Sequence, residues 1–347
     1  MLSRKEIAEI RGHLENAQNP VFLYDNDVDG LCGYIVFRRF IGRGKGVAVK
    51  SHPDVDEKYA KKAQELNADY IFVLDRPVLG EKFVNEVKNL QLPIVWIDHH
   101  DVEPVKYDYQ NIFAFNPMRS DNKSSEPVTY MAYRSTNRRE DLWVALAGCI
   151  ADHYLPDFSE DFAKEFPEYW GKKIEKPFDV YYGTEFGRLI KALSFGLKDS
   201  ISHVVQLQNF LTSCRSPKEL EMELEASKSF GKKYREITKK YNLLLKKAKN
   251  VSDGKIIFFN YGGDLSISSD ISNELVYLNP GKIIIVAYSS GPITNISMRG
   301  NNVKELLGKV LPVLGNATGG GHMDSVGMRI ETKYLETFKN EIEKLIL

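Results

Sequence analysis

The sequence predicts an α/β fold with a mostly parallel sheet, a helical middle segment and a second, smaller α/β segment. Three observations carry this expectation. Short apolar runs alternate with helical periodicity through the first hundred residues, strand signals vanish between Gly183 and Asn250, and they return from Lys255 onward. A length of 347 residues supports two cores, and a composition 43% hydrophobic and 27% charged is that of an ordinary globular chain.

The elements follow in order. From Ser3 to Gln18, Ile7, Ile10 and Leu14 recur at helical spacing. Strands are expected at Val21–Asp25, Gly46–His52, Tyr70–Asp75 and Pro93–Asp98, with helices starting near Gly30, Asp56 and Gly80 between them. Three such βα repeats imply parallel strands with helices on both faces. Glu140 to Tyr154 reads as an amphipathic helix with Leu142, Leu146, Cys149 and Ile150 on one side. Ser216-Pro217-Lys218-Glu219 joins a capping box to a proline at the first helical position, so a helix starts there. Phe230, Tyr234, Ile237, Tyr241 and Leu244 extend it as a short coiled-coil-like stripe, and Val251-Ser252-Asp253-Gly254 ends it as a linker. Beyond it, strands are expected at Lys255–Asn260, Lys282–Ser289 and Pro292–Met298. Helices are expected near Ser268 and Val303, with a last one from Lys333.

Bulk properties narrow the function classes. The net charge is zero, so attraction for a polyanion must come from a local groove or from bound cations. Cys32, Cys149 and Cys214 form neither a disulfide framework nor zinc-finger spacing, and reduced thiols in a cytoplasmic protein are the expectation. Met1 to Glu15 is charged and amphipathic, unlike a secretory signal, and no apolar run of about 18 residues predicts a membrane span.

The chemistry gathers at strand ends. Asp25-Asn26-Asp27-Val28-Asp29-Gly30 places three carboxylates where a strand turns into a helix, and a divalent metal would neutralise their repulsion. A calcium loop of the EF-hand type competes for this pattern. It fails because no glutamate follows in Leu31–Phe37 and because a strand precedes the loop. Asp75 ends the third strand and Asp98-His99-His100 the fourth, at the carboxyl edge where open α/β sheets hold their ligands. Asp152 lies within the apolar helix from Glu140, where a buried carboxylate needs a partner. Several carboxylates with one or two imidazoles suit Mn²⁺ or Mg²⁺ over thiophilic metals, and can hold two ions about 3.5–4 Å apart. Any one of these motifs alone is as readily a solvated turn. Near the C-terminus, Gly319-Gly320-Gly321-His322 reads as a glycine turn whose N–H groups could approach a phosphate, with Arg299 a second phosphate candidate.

This order of motifs resembles the DHH phosphoesterase superfamily: D-x-D, a lone Asp after a strand, D-H-H, and a later Asp in a helix. The Gly319–His322 segment is similar to the G-G-G-H signature of the DHH-associated domain. The resemblance implies a DHH catalytic domain over 1–180, a helical connector over 181–252 and a DHH-associated substrate-binding domain over 253–347. It implies two Mn²⁺, with Mg²⁺ as the other candidate: Asp25 and Asp27 on one, Asp29, His99 and Asp152 on the other, and Asp75 bridging. His100 would contact the scissile phosphate, Asp98 would orient a histidine, and Arg299, Gly319, Gly320, Gly321 and His322 would bind substrate. His52 and His153 match no motif and are expected to be structural.

Within that superfamily, Asp25 before the D-x-D pair, with Leu23 in place of a histidine, resembles RecJ-like exonucleases. Lacking further oligonucleotide-binding domains, the chain is similar to compact archaeal RecJ-like nucleases, including those that associate with the repair helicase Hef. The resemblance thus implies hydrolysis of single-stranded DNA or RNA in repair or replication, with a helicase as partner. Ser124-Ser125-Glu126 resembles instead a stretch of the small-oligonucleotide phosphodiesterases, which keeps a nanoRNase or a pAp or cyclic-dinucleotide phosphodiesterase as the alternative. An inactive replisome scaffold is a further one, against which stands the filling of every ligand position. Lys232, Lys233, Arg235, Lys239, Lys240, Lys246, Lys247 and Lys249, interleaved with Tyr234 and Tyr241, could track a single strand, though a solvated helix face is the better expectation.

Overall fold

A computed structural model of the chain describes residues 1–50, 54–103, 105–120, 123–250 and 254–346. It divides into two compact units, 1–234 and 235–347. His52 and residues 251–253 of the expected linker lie outside the described residues.

The first unit opens with α1 (Arg4–Asn16), whose N-cap Ser3 and Glu6 form a reciprocal capping box. Then β1 (Val21–Asp25), α2 (Val28–Ile41), β2 (Lys45–Val49), α3 (Lys58–Glu65), β3 (Ile71–Leu74), α4 (Glu81–Asn89) and β4 (Ile94–Ile97) alternate as expected. A fifth strand that sequence reading did not find, β5 (Ile112–Phe115), pairs with β4. The five strands are all parallel, in the order β2-β1-β3-β4-β5. Their side chains alternate between two cores. Phe22, Tyr24, Phe72, Leu74, Val95 and Ile97 face one side, while Val21, Leu23, Ile71, Val73, Ile94 and Trp96 pack on the other against α3 and α4.

Among the described residues, seven further α-helices complete this unit or lead out of it: α5 (Val128–Thr136), α6 (Leu142–Ala151), α7 (Ser159–Glu165), α8 (Pro177–Gly183), α9 (Glu185–Gly196), α10 (Ile201–Ser213) and α11 (Pro217–Ala226). Most of their apolar residues join the core on the Phe22 side. The single helix expected from Ser216 onward is two. Its N-cap is Ser216 as anticipated, but α11 stops at Ser227, whose Oγ accepts from Phe230 N at 3.1 Å and starts α12 (Phe230–Lys249). The stretch 181–252 is therefore helical throughout most of its described residues, and the division between units falls inside α12.

The second unit contains β6 (Ile256–Gly262), α13 (Ser268–Leu278), β7 (Ile283–Ser290), β8 (Ile293–Arg299), α14 (Val303–Val310), β9 (Thr318–His322), β10 (Ser325–Glu331) and α15 (Leu335–Ile346). Its mixed sheet runs β6-β7-β8-β10-β9, with only β6 and β7 parallel, joined by α13 as the crossover. Val303, Leu307, Phe338 and Ile342 from α14 and α15 close a core with Ile285, Met298 and Met328. The glycine-rich segment is thus an edge strand rather than a loop. Among the described residues, no helix is long and apolar enough to cross a membrane.

Candidate metal centre

The carboxyl ends of β1, β3 and β4 bring six of the sequence-predicted residues together, and the C-terminus of α6 supplies another. Donor atoms of Asp25, Asp27 and Asp75 lie within 4.8 Å of one another, as do those of Asp29, His99 and Asp152, and those of Asp75, His99 and His100. Asp75 and His99 each belong to two of these groups, so the three sets form one continuous centre. His99 Nε2 stands 3.3 Å from Asp75 Oδ1 and 3.6 Å from Asp152 Oδ2. Asp152 is the C-cap of α6 rather than an interior residue, so it projects where the helix ends.

Local sequence explains each position. Asp27 is the N-cap of α2 and accepts from Gly30 N at 2.9 Å. Gly30 is required because a Cβ there would lie 2.6 Å from the carbonyl oxygen of Asp25. Asp75 has φ of 59°, the left-handed region that Asp and Asn tolerate better than other side-chain-bearing residues. Asp29 is held from far along the chain: its carboxylate accepts from Val128 N at 2.8 Å and Thr129 N at 2.9 Å, at the start of α5. The N-cap of that helix, Pro127, has no side chain able to do this.

Around these ligand candidates lies a positioning layer. Asp98, almost fully buried, sits 2.8 Å from His100 Nδ1 and accepts from His100 N and from Asn116 Nδ2, each at 3.1 Å. Asn116 also donates to the His100 carbonyl at 3.1 Å. Arg76, buried behind the site, pairs with Asp25 at 2.6 Å, and its carbonyl accepts from Trp96 Nε1. Sequence reading missed Asn116 and Arg76. Asn116 follows the apolar run Ile112–Phe115, the same strand-end signature that marked Asp25, Asp75 and Asp98.

The electrostatics fit a cation. Burial first, and then the charges of Asp75 and Asp152, push Asp29 up to about 8, while burial and Asp75 push Asp152 up to about 6. Burial opposes the charging of His99, but Asp75, Asp152 and Asp29 outweigh it and raise that imidazole well above its usual range. Asp75 Oδ1 and His99 Nδ1 are buried without a hydrogen bond of adequate geometry. Hard oxygen donors with imidazole nitrogen, crowded and incompletely satisfied, are the donor set of Mn²⁺ or Mg²⁺.

In the second unit, Arg299 and His322 lie on strands to either side of β10, opposite the same residue, Ser325. The Arg299 guanidinium is fixed by Asn273 Oδ1 at 2.5 Å, Ser269 Oγ at 3.0 Å and the Met298 carbonyl at 2.8 Å. Gly319, Gly320 and Gly321 are exposed along the edge strand β9, where part of the backbone N–H groups face outward. Gly321 has φ of 141°, and a Cβ there would lie 2.4 Å from the Ser325 carbonyl; Gly320 has open space instead. Tyr241 is buried and bonded to Glu274, and Tyr234 packs beside Phe195. His153 packs on Phe178 with ring centroids 4.3 Å apart.

Residues 21–152 match the family model described as DHH family, N-terminal domain. The chain's fold is RecJ-like. RecJ in complex with Mn²⁺ from Thermus thermophilus shares 14% identity with a TM-score of 0.69, over 99% of this chain and 55% of that one. This chain therefore spans about half the length of that RecJ. A second structure, an exonuclease RecJ bound to manganese, shares 15% identity with a TM-score of 0.64, over 99% of this chain and 95% of that one. A pGpG-specific phosphodiesterase, PggH, from Vibrio cholerae shares 13% identity with a TM-score of 0.52, over 94% of this chain and 98% of that one. At such identities the likeness is one of fold. No curated protein matches the chain by sequence.

Proposed function

We propose that the chain is a metal-dependent phosphodiesterase of RecJ-like type, an exonuclease that releases nucleotides from single-stranded DNA or RNA in repair or replication. The carrying observation is the continuous centre in which Asp75 and His99 are shared among three donor groups. Asp25 and Asp27 would hold one Mn²⁺ or Mg²⁺, Asp29, His99 and Asp152 the other, with Asp75 between them. Such a pair, when bound, supplies Lewis acidity and a water activated near neutral pH for attack on a phosphodiester.

The chain's own residues do the rest. Asp98 holds His100 through Nδ1, which leaves Nε2 to donate to a phosphate oxygen. Burial opposes charging of His100, but Asp98 and Asp75 outweigh it, so the imidazole is raised toward the cationic form that suits an anionic substrate. Arg76 holds Asp25 in place from behind. Arg299, His322 and the N–H groups of Gly319, Gly320 and Gly321 would hold a further substrate phosphate.

A digestion time course tests the reading. DNA and RNA strands labelled at either end, from two nucleotides to about thirty, are incubated with Mn²⁺ or Mg²⁺. Progressive shortening from one end is the expected result. Cleavage confined to the shortest strands would favour the nanoRNase or dinucleotide phosphodiesterase alternative. No turnover of any substrate would sink the catalytic reading and leave the scaffold.

A further inference from the structure

A second polar cavity opens in the first unit, away from the metal centre. Its volume is about 600 Å³, within the range of small-ligand sites, and five arginines line it: Arg38, Arg39, Arg138, Arg139 and Arg215. They come from three places in the chain: the end of α2, the turn before α6, and the segment after α10. Against them stand Glu140 and Glu165 at the rim and Asp141 beneath. Arg139 pairs with Glu165 at 3.0 Å, and Arg39 with the fully buried Asp141 at 3.0 Å. Arginines outnumber carboxylates, so the cavity favours an anion.

Arginine at the end of a helix commonly serves only to offset the helix dipole. Five guanidinium groups from three segments around one cavity distinguish it from that ordinary case. The Arg39 side chain is 7% exposed, and its Nη1 has no hydrogen-bond partner among the described residues; Trp143 is 2% exposed, and its indole Nε1 has none there either. Both residues line the cavity, and Trp143 with Leu142 brings to it the N-terminal end of α6, which is electropositive. Guanidinium groups match phosphate oxygens in pairs, which a carboxylate-sized ligand would not use fully. The space exceeds that needed by a lone phosphate, and Phe166 gives its wall an aromatic surface.

We propose that this cavity is a binding site for a small phosphorylated ligand of nucleotide size, such as a nucleoside diphosphate. It is separate from the metal centre. Arg39 lies ten residues after Asp29 on α2, which places it about 15 Å away along the helix axis. Asp141 and Asp152 bracket α6 in the same way.

Calorimetric titration of ADP into the full chain in EDTA tests this, since chelation removes phosphate binding to metal. One site is expected. Arg38→Ala combined with Arg215→Ala should weaken binding at least tenfold with the unfolding temperature unchanged, because neither residue holds the buried Asp141. Absence of binding, or equal affinity in the double variant, overturns the proposal. Loss of ADP binding in Asp75→Asn would assign the heat to the metal centre and overturn it as well. Displacement of ADP by an unlabelled oligothymidylate at lower concentration would make the occupant a strand phosphate, against a free nucleotide.

Discussion

Asp98 and His100, two residues apart on one strand end, are joined by a 2.8 Å contact between Oδ1 and Nδ1, and Asn116 pins the same carboxylate from the neighbouring strand. Asp98 stands in none of the three donor groups, so in the proposed reading it would act on the site through the imidazole. Asp98→Asn should lower turnover about 10- to 100-fold, the usual effect of removing such a partner. Calorimetric titration with Mn²⁺ should show affinity unchanged. A variant that loses metal as well as turnover would place Asp98 among the ligands instead.

Asp75 separates charge from conformation. Its left-handed backbone suits Asn nearly as well as Asp, so Asp75→Asn should fold normally and bind less Mn²⁺. Asp75→Ala should in addition lose about 1–2 kcal/mol of stability from the strained φ. Metal stoichiometry with thermal melts of both variants checks this. Equal melting temperatures would show that the backbone strain carries no cost.

Without metal, stability should fall as pH rises. Asp29 is pushed up to about 8 and Asp152 to about 6, from an ordinary value of 3.8. The folded state then binds more protons than the unfolded one across that window. Their contribution is fully present below pH 3.8 and is lost as pH climbs through about 6 and then about 8. His99, also raised, acts in the same sense. Melting temperatures in EDTA at about pH 5.5 and about pH 8.5 check the slope, and saturating Mn²⁺ should remove it. A higher melting temperature at the alkaline pH in EDTA would refute it.

The glycines of β9 should prove unequal. Gly321→Ala places a Cβ against the Ser325 carbonyl in a backbone region that disfavours side chains, and should cost about 1–3 kcal/mol. Gly320→Ala meets open space and should be close to neutral in stability. Chemical denaturation of the two variants decides. If Gly320→Ala nevertheless impairs turnover, the exposed backbone at that position serves substrate rather than fold.

What could be read from sequence was what the chain keeps local. Each of β1, β3 and β4 is a short apolar run ending beside a carboxylate, so strand and ligand candidate were visible in the same few residues. Two of the edge strands, β5 and β9, were not. Ile112–Phe115 is as long as β3 and β4 but only partly buried and ends at an asparagine rather than a carboxylate, and Thr318–His322 carries three glycines that disguise a strand as a turn. Contacts across long separations were equally hidden: Arg76 reaches Asp25 over 51 residues, and the arginine cavity is assembled from three distant segments. The break between α11 and α12 rests on one serine hydroxyl, and an apolar stripe that begins at Phe230 right after it conceals it.

Asp29 carries two duties at once, and this shapes how the centre can be dissected. Its carboxylate supplies the cap that Pro127 cannot give α5, so the first turn of a helix 100 residues away is tethered to a ligand candidate. Asp29→Ala would therefore fray scaffold and chemistry together, and an inactive product would report on neither alone. Asp152, standing past the last turn of its helix, carries no such tether among its described hydrogen bonds. A clean knockout of this centre begins there.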